Sequence, residues 1–188
     1  MEMLTPEEGR TAVRLARNAI EKAVDGKRTE LPVRSPIFGE KRGVFVTLKR
    51  QGRLRGCIGL PYPIKPLGDA ILEAAVSAAL EDPRFPPVSR SELADLDLEV
   101  TVLTPPRPLD CPPEERPGCV DVGKHGLIVS GLGTGGLLLP QVPTEYGWDS
   151  REFLDQTCVK AGLPPGCWKR ADVAVQTFEG QIFEEKAV

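Results

Sequence analysis

Residues 44–59 constrain the fold more than any other stretch. Val44, Val46 and Leu48 alternate with Phe45, Thr47 and Lys49, the period of a half-buried strand. Gln51-Gly52 supplies a turn, and Arg53-Leu54-Arg55-Gly56-Cys57-Ile58-Gly59 runs back as the second strand of a hairpin. Pro61 and Pro63 end it. Strict alternation puts Leu54, Gly56 and Ile58 on one face and Arg53, Arg55 and Cys57 on the other. The apolar set then faces a core, and the cationic set lines a groove in steps of about 7 Å. Fixed positive charge beside a thiol favours the thiolate, so Cys57 is a candidate nucleophile. Arg53 and Arg55 are candidate anion ligands. Gly56 and Gly59 leave the backbone open to close approach by a ligand or by another segment. The alternative is a structural strand, with Cys57 a small hydrophobe and the arginines solvated or paired.

Leu54-Arg55-Gly56-Cys57-Ile58-Gly59 also resembles the signature hexapeptide of the AMMECR family. The resemblance continues through Asp82-Pro83-Arg84-Phe85, Leu98 to Leu103, Val122 to Leu127 and Leu138 to Val142. It ends with Gly147-Trp148, Phe153-Leu154, Cys158 to Leu163 and Trp168, so it covers nearly the whole chain in family order. It implies one AMMECR-type domain over residues 1–188, α+β, with two related β-rich lobes forming a cleft. It further implies Memo-like and radical-SAM proteins as partners in a shared pathway or complex. It brings no particular reaction and no cofactor, so whether the chain is an enzyme stays open.

A chain of 188 residues with 40% hydrophobic content can bury a core as one large domain or two small lobes. No apolar run approaches the roughly 20 residues of a membrane span. Met1 to Arg10 is acidic and polar and lacks the apolar centre of a signal peptide, so a cytoplasmic location is expected. Five cysteines, an odd number, argue against a full disulfide framework. Without a Cys-x-x-Cys pair, and with His125 the one histidine, no structural zinc or other metal site is expected. A net charge of −3 gives no bulk attraction to nucleic acid, and 5% aromatic content leaves few stacking platforms. RNA binding is therefore the weakest functional reading.

The remaining segments set the architecture. Thr5-Pro6-Glu7-Glu8 opens a helix with a capping box. Leu67 to Leu80 is apolar almost all round and reads as a buried helix, stopped by Asp82-Pro83. Arg84 is stiffened by prolines at 83, 86 and 87, and serves either bidentate anion binding or a carboxylate pair that fixes the loop. Leu96 to Val102 alternates as a strand, and 105–118 reads as a Pro-rich surface loop. Gly123-Lys124-His125-Gly126 is a turn, whose His125 is either a general base for Cys57 or an exposed turn residue. Gly131 to Gly136 matches the dinucleotide-binding glycine spacing, but Leu137-Leu138-Leu139 continues as a strand, so a hairpin loop is expected. Asp149 starts a helix with Cys158 on its inner face, and Val173 to Phe178 is a late strand.

Hairpins outnumber strand–helix alternations, which gives α+β with mainly antiparallel or mixed sheets and packed helices. Three functions follow. The first is binding of a small anionic ligand by Arg53, Arg55 and Arg84, with Cys57 as nucleophile if there is chemistry. The second is a non-catalytic binding or scaffold module for a protein partner. The third is RNA binding.

Overall fold

A computed structural model describes residues 3–29 and 35–185. The chain forms two compact units, one from residues 1–103 with 181–188 and the other from 104–180.

In the first unit, helix α1 (Pro6–Val24) is set by its first turn. The Thr5 hydroxyl accepts from the Glu8 amide, and the Glu8 carboxylate takes the Thr5 amide at 2.9 Å. The face carrying Ala12, Val13, Ala16, Ala19 and Ile20 is buried. Strands β1 (Val44–Arg50) and β2 (Arg53–Leu60) form the expected hairpin. Gln51 and Gly52 both adopt left-handed φ, 52° and 75°, as in the two-residue turn whose twist matches the strands. Helix α2 (Leu67–Leu80) follows, and then β3 (Leu96–Leu103), which pairs antiparallel with the other side of β1. The three strands lie in the order β2-β1-β3. Helix α1 packs on α2 and β3, and α2 packs on β1 and β2. Val44, Val46 and Leu48 of β1 meet Ala74, Ala75 and Ala78 of α2 in one core cluster. The small residues of α2 explain why an all-round apolar helix fits so closely to the sheet.

The second unit has a short strand β4 (Arg107–Pro108), then β5 (His125–Gly131) and β6 (Thr134–Leu138). A short helix α3 (Gln141–Tyr146) and a longer α4 (Ser150–Lys160) precede β7 (Val173–Glu184). The β5–β6 hairpin turns at Leu132-Gly133, again with left-handed φ, 53° and 79°. The glycine run is thus a hairpin, as its neighbours indicated. Strand β7 pairs with the other side of β5, giving the order β6-β5-β7, with β4 also on β7.

Each unit therefore has a hairpin, then a helix, then a strand that pairs with the hairpin's first strand. In each, a glycine on the hairpin's second strand lies under the C-terminal end of the long helix. A Cβ on Gly56 would stand 2.2 Å from the Ala78 carbonyl oxygen, and one on Gly136 would stand 2.4 Å from the Ala161 amide nitrogen. Gly56 pairs with Leu48 and Gly136 with Val129. The difference is one extra residue between turn and glycine in β2, and that residue is Arg55.

This bulge overturns the facing expected from strict alternation. Lys49 pairs with Leu54 but Leu48 pairs with Gly56, so Arg55 has no opposite number. Leu54 moves to the face of Thr47 and Cys57 and is 44% exposed. Arg53 stands opposite Arg50, on the other face. Arg53, Arg55 and Cys57 do not share a face, and Leu54 does not anchor the strand to the core. The tight turn pairs Arg50 with Arg53, while the end of α2 demands glycine opposite Leu48. Those two demands are one residue out of phase, and a bulge absorbs the difference.

Three further points differ from the sequence reading. The 105–118 segment carries β4 and most of the 3₁₀ turn Pro113–Cys119, and the Leu109 amide donates to the Val175 carbonyl. Helix α3 was not expected. Cys158 is buried, but as half of a disulfide with Cys167. The strand pairings named above are all antiparallel, and the chain is α+β. Among the described residues no helix is long and apolar enough to cross a membrane.

Gly56→Ala forces a methyl group against the Ala78 carbonyl. It is expected to lower stability by about 2 kcal/mol or more in urea denaturation. Gly39→Ala in the same unit, where an added Cβ meets nothing within 4 Å, is expected to stay within about 0.5 kcal/mol.

Candidate functional site

The site is built where α2 ends beside β2. Pro83 stops the helix, and Asp82 turns its carboxylate onto the strand. That carboxylate is only 2% exposed and takes four donors. The Cys57 amide donates to one oxygen at 2.9 Å, and the Arg84 amide donates to the other at 3.1 Å. The Arg84 guanidinium donates to both oxygens, at 2.9 and 2.7 Å. Arg84 also donates to the Cys57 carbonyl at 3.1 Å. Both outward backbone groups of Cys57 are thereby held by one Asp–Arg pair. The Arg84 guanidinium, with help from the Cys57 and Arg84 amides, holds the Asp82 carboxyl well below the usual carboxylate range, against its burial.

The bulge sends Arg55 to a second carboxylate. Its Nε and Nη2 donate to the two oxygens of Glu92 at 2.9 and 3.2 Å, and Nη2 also donates to the Pro86 carbonyl at 3.0 Å. Arg50, from the face of β1 opposite Thr47, reaches the same Glu92 at 3.4 Å and Asp95 at 3.2 Å. Arg55 holds the Glu92 carboxyl down from 4.5 to about 2, with the Ser89 amide adding to the effect. The Phe85 ring sits under both guanidiniums, 5.9 Å from Arg55 and 5.5 Å from Arg84. Among the described residues, two buried donors of the cluster, Arg50 Nε and Arg55 Nη1, have no hydrogen-bond partner.

Cys57 points the other way. Its Sγ lies 3.3 Å from Thr47 Oγ1. Glu99, opposite Thr47 on β3, accepts from Lys49 Nζ at 2.9 Å. Among the described residues no imidazole, amine or carboxylate hydrogen-bonds the thiol. Both motif glycines are filled by the protein itself: Gly56 by the Ala78 carbonyl, and Gly59 by the Phe45 ring, 2.3 Å from where a Cβ would stand. The close approach that glycine permits is made by other segments. Arg53 is exposed and makes no ion pair among the described residues. His125 lies in the second unit, where its Nδ1 accepts from the Asp121 amide at 3.1 Å and closes a turn. No group of three metal-ligating side chains is present among the described residues.

Arg55 and Arg84 thus converge on Phe85, and Arg84 also holds the Cys57 backbone and lies within charge range of its thiol, while Arg53 stands apart. Asp82, Phe85, Glu92 and Thr47 were not singled out from sequence. Asp82 could have been, since it sits directly before Pro83-Arg84, where a carboxylate can turn back onto its own arginine. Glu92 carried the Ser89-x-x-Glu92 capping pattern, which the structure contains.

A bulged hexapeptide strand braced by an aspartate–arginine turn, in an α+β chain of two like-connected units, defines a distinct class of domain. The AMMECR1 family model matches residues 13–183, and the chain belongs to that family. A protein of Methanothermobacter thermautotrophicus is 55% identical over 185 residues, covering 97% of this chain and 96% of that protein. Protein Mbar_A1807 of Methanosarcina barkeri is 54% identical over 189 residues, covering 98% and 93%. The crystal structure of uncharacterized protein PH0010 from Pyrococcus horikoshii superposes with a TM-score of 0.84 at 52% identity, covering 97% of this chain and 94% of that one.

Asp82→Ala leaves the Cys57 amide without its acceptor and Arg84 without its carboxylate. It is expected to cost about 2–3 kcal/mol of stability by chemical denaturation. Glu92 supplies a pH test. Its folded pKa lies below the ordinary 4.5, so its stabilising contribution is complete above pH 4.5 and is lost as pH falls toward 2. Glu92→Gln is expected to flatten that part of the acid-denaturation curve, while costing about 1–3 kcal/mol at neutral pH.

Proposed function

We propose that this chain is a non-catalytic recognition module that docks a protein partner at the tip and bulge of the β1–β2 hairpin. One observation carries the reading: the two arginines nearest the motif are already committed to carboxylates, Arg84 to Asp82 and Arg55 to Glu92. Their role is to brace a turn and a bulge, which keeps a surface rigid before binding. The hairpin tip leaves exposed, on its two opposite faces, Arg53, which makes no ion pair among the described residues, and the apolar side chain of Leu54. That pair suits a partner that wraps the tip, offering a carboxylate to one face and an apolar surface to the other. The family resemblance makes a Memo-like or a radical-SAM protein the partner to test. The half-buried thiol of Cys57, bonded to a hydroxyl and, among the described residues, to no base, supports a packing role.

A second reading, a small-anion site, is favoured by the buried donors of Arg50 and Arg55 around Glu92 that have no hydrogen-bond partner among the described residues.

Titration of the purified chain with a purified Memo-like protein, and separately with a radical-SAM protein, tests the module. Saturable binding to one of them is expected. The double variant Arg53→Glu, Leu54→Asp should weaken it by about tenfold or more, which is 1.4 kcal/mol, and Cys57→Ser should leave it unchanged. No binding to either protein overturns the reading. So does saturable binding of phosphate, sulfate or nucleotide that Arg55→Ala abolishes, a result that establishes the small-anion site instead.

A further inference from the structure

We propose that the second unit binds a short zwitterionic peptide, of dipeptide size, in the cavity where β4 leaves β7. The cavity has a volume of about 420 Å³ and lies between the chain that follows β4, Arg116 and the first residues of β7. That volume falls within the range of small-ligand sites, about 300–1,000 Å³. Its cation is Arg116, on the 3₁₀ turn Pro113–Cys119. Arg116 is half-buried, and its guanidinium donates to the Trp168 carbonyl. Its Nε is buried and has no hydrogen-bond partner among the described residues. Nor does it make an ion pair with any of them. A guanidinium partly withdrawn from water without a counterion is unfavourable, and a bound carboxylate supplies that counterion.

The acceptors around the cavity define the rest of the ligand. The Glu179 carbonyl accepts from the Thr104 amide at 2.8 Å, and the Val175 carbonyl from the Leu109 amide at 2.9 Å. Peptide groups alternate sides along a strand, so the Val173 carbonyl also turns away from β5. It stands past the end of β4, where the Cys111 amide returns to the Leu109 carbonyl at 3.0 Å. Among the described residues no donor meets the Val173 carbonyl. A peptide amide laid along this edge supplies one, as in strand addition. Asp110, on the cavity wall, is exposed and makes no ion pair among the described residues. Asp172, also on the wall, is held by Arg170 at 2.8 and 2.7 Å. The wall thus offers one uncommitted cation and one uncommitted carboxylate. A dianion such as phosphate would face both aspartates with a single cation to hold it. A dipeptide satisfies all three groups, with its carboxylate on Arg116, its amide on the Val173 carbonyl and its ammonium on Asp110. Pro108, Leu109 and Ala171 give its side chains an apolar wall.

The test is independent of the docking reading, since it concerns another unit and another ligand. The full-length chain is titrated with L-alanyl-L-leucine by isothermal titration calorimetry. Saturable binding is expected, with a Kd of about 1 mM or tighter. The C-terminal amide of the dipeptide and its N-acetyl form should each bind about tenfold more weakly or not at all. Inorganic phosphate should not compete with the dipeptide. Arg116→Gln and Asp110→Asn should each weaken dipeptide binding about tenfold or more, while the double variant Arg53→Glu, Leu54→Asp should leave it unchanged. A wild-type chain that shows no saturable binding of the dipeptide overturns the proposal. So does binding that survives amidation, or that phosphate displaces. Binding that N-acetylation leaves unchanged overturns it too, and marks a site for the carboxyl end of a protein chain instead. The amide and acetyl comparisons use the wild-type chain, so they decide the matter even if a variant fails to fold.

Discussion

The Asp82 carboxylate is the interaction on which the first unit's geometry depends. Removing a charged carboxyl from water costs several kcal/mol unless the protein replaces its solvation. Here the replacement is complete, from two amides and a two-pronged guanidinium. Charge-assisted bonds of this kind are short and directional, so the carboxyl fixes three things together. It ties the segment after α2 to β2, holds the Arg84 turn, and sets the height of Cys57 along β2. With Cys57 placed, Gly56 falls beneath the Ala78 carbonyl, and the hairpin must take up its extra residue at Arg55. The bulge is therefore a consequence of the brace, and the Arg55–Glu92 pair is what gives the displaced side chain a place to go.

The second unit meets the same geometric problem with different chemistry. Its helix α4 also ends over a glycine, Gly136. There the helix stops with Gly162 in a left-handed conformation and the Leu163 amide returning to the Cys158 carbonyl, the glycine-ended stop that the sequence suggested. The following turn is tied by the Cys158–Cys167 disulfide and by Asp155, which accepts from the Gly166 amide and from Trp168 Nε1. One unit thus fixes its helix end with an ion pair, and the other with a covalent bond and a buried tryptophan. The comparison separates what the shared connectivity requires from what the hexapeptide adds. Glycine under a helix end is common to both. The bulge, the cysteine opposite a threonine and the Asp82–Arg84 brace on the hairpin are features of the first unit.

Much of the fold was legible because it depends on local signals. The capping box at Thr5, the turn at Gln51-Gly52, the apolar run of α2 and the alternation of β3 all depend on neighbours a few residues apart. The site was harder to read, because its geometry depends on partners far along the chain. Nothing within 53–59 shows that a carbonyl from residue 78 will press on Gly56, so alternation assigned Leu54 and Arg53 to the wrong faces. The carboxylates that absorb Arg55 and Arg84 were visible as residues but not as partners. For Arg84 the structure contains the carboxylate pair that one of its two readings expected. The Cys158–Cys167 bridge escaped for a similar reason: an odd cysteine count excludes a full framework but says nothing about a single pair.

The brace also changes what the sheet offers to other chains. Strand β2 is the outermost strand of its sheet, and an uncovered outer strand is a template on which any extended segment can zip up, including one from a second copy of the same protein. At Cys57 that template is interrupted, since its amide and carbonyl are already spoken for by Asp82 and Arg84. The bulge two residues earlier breaks the regular spacing that a newcomer would need. The motif stretch is thus insulated against runaway self-association, and it can stay open to solvent without seeding fibrils.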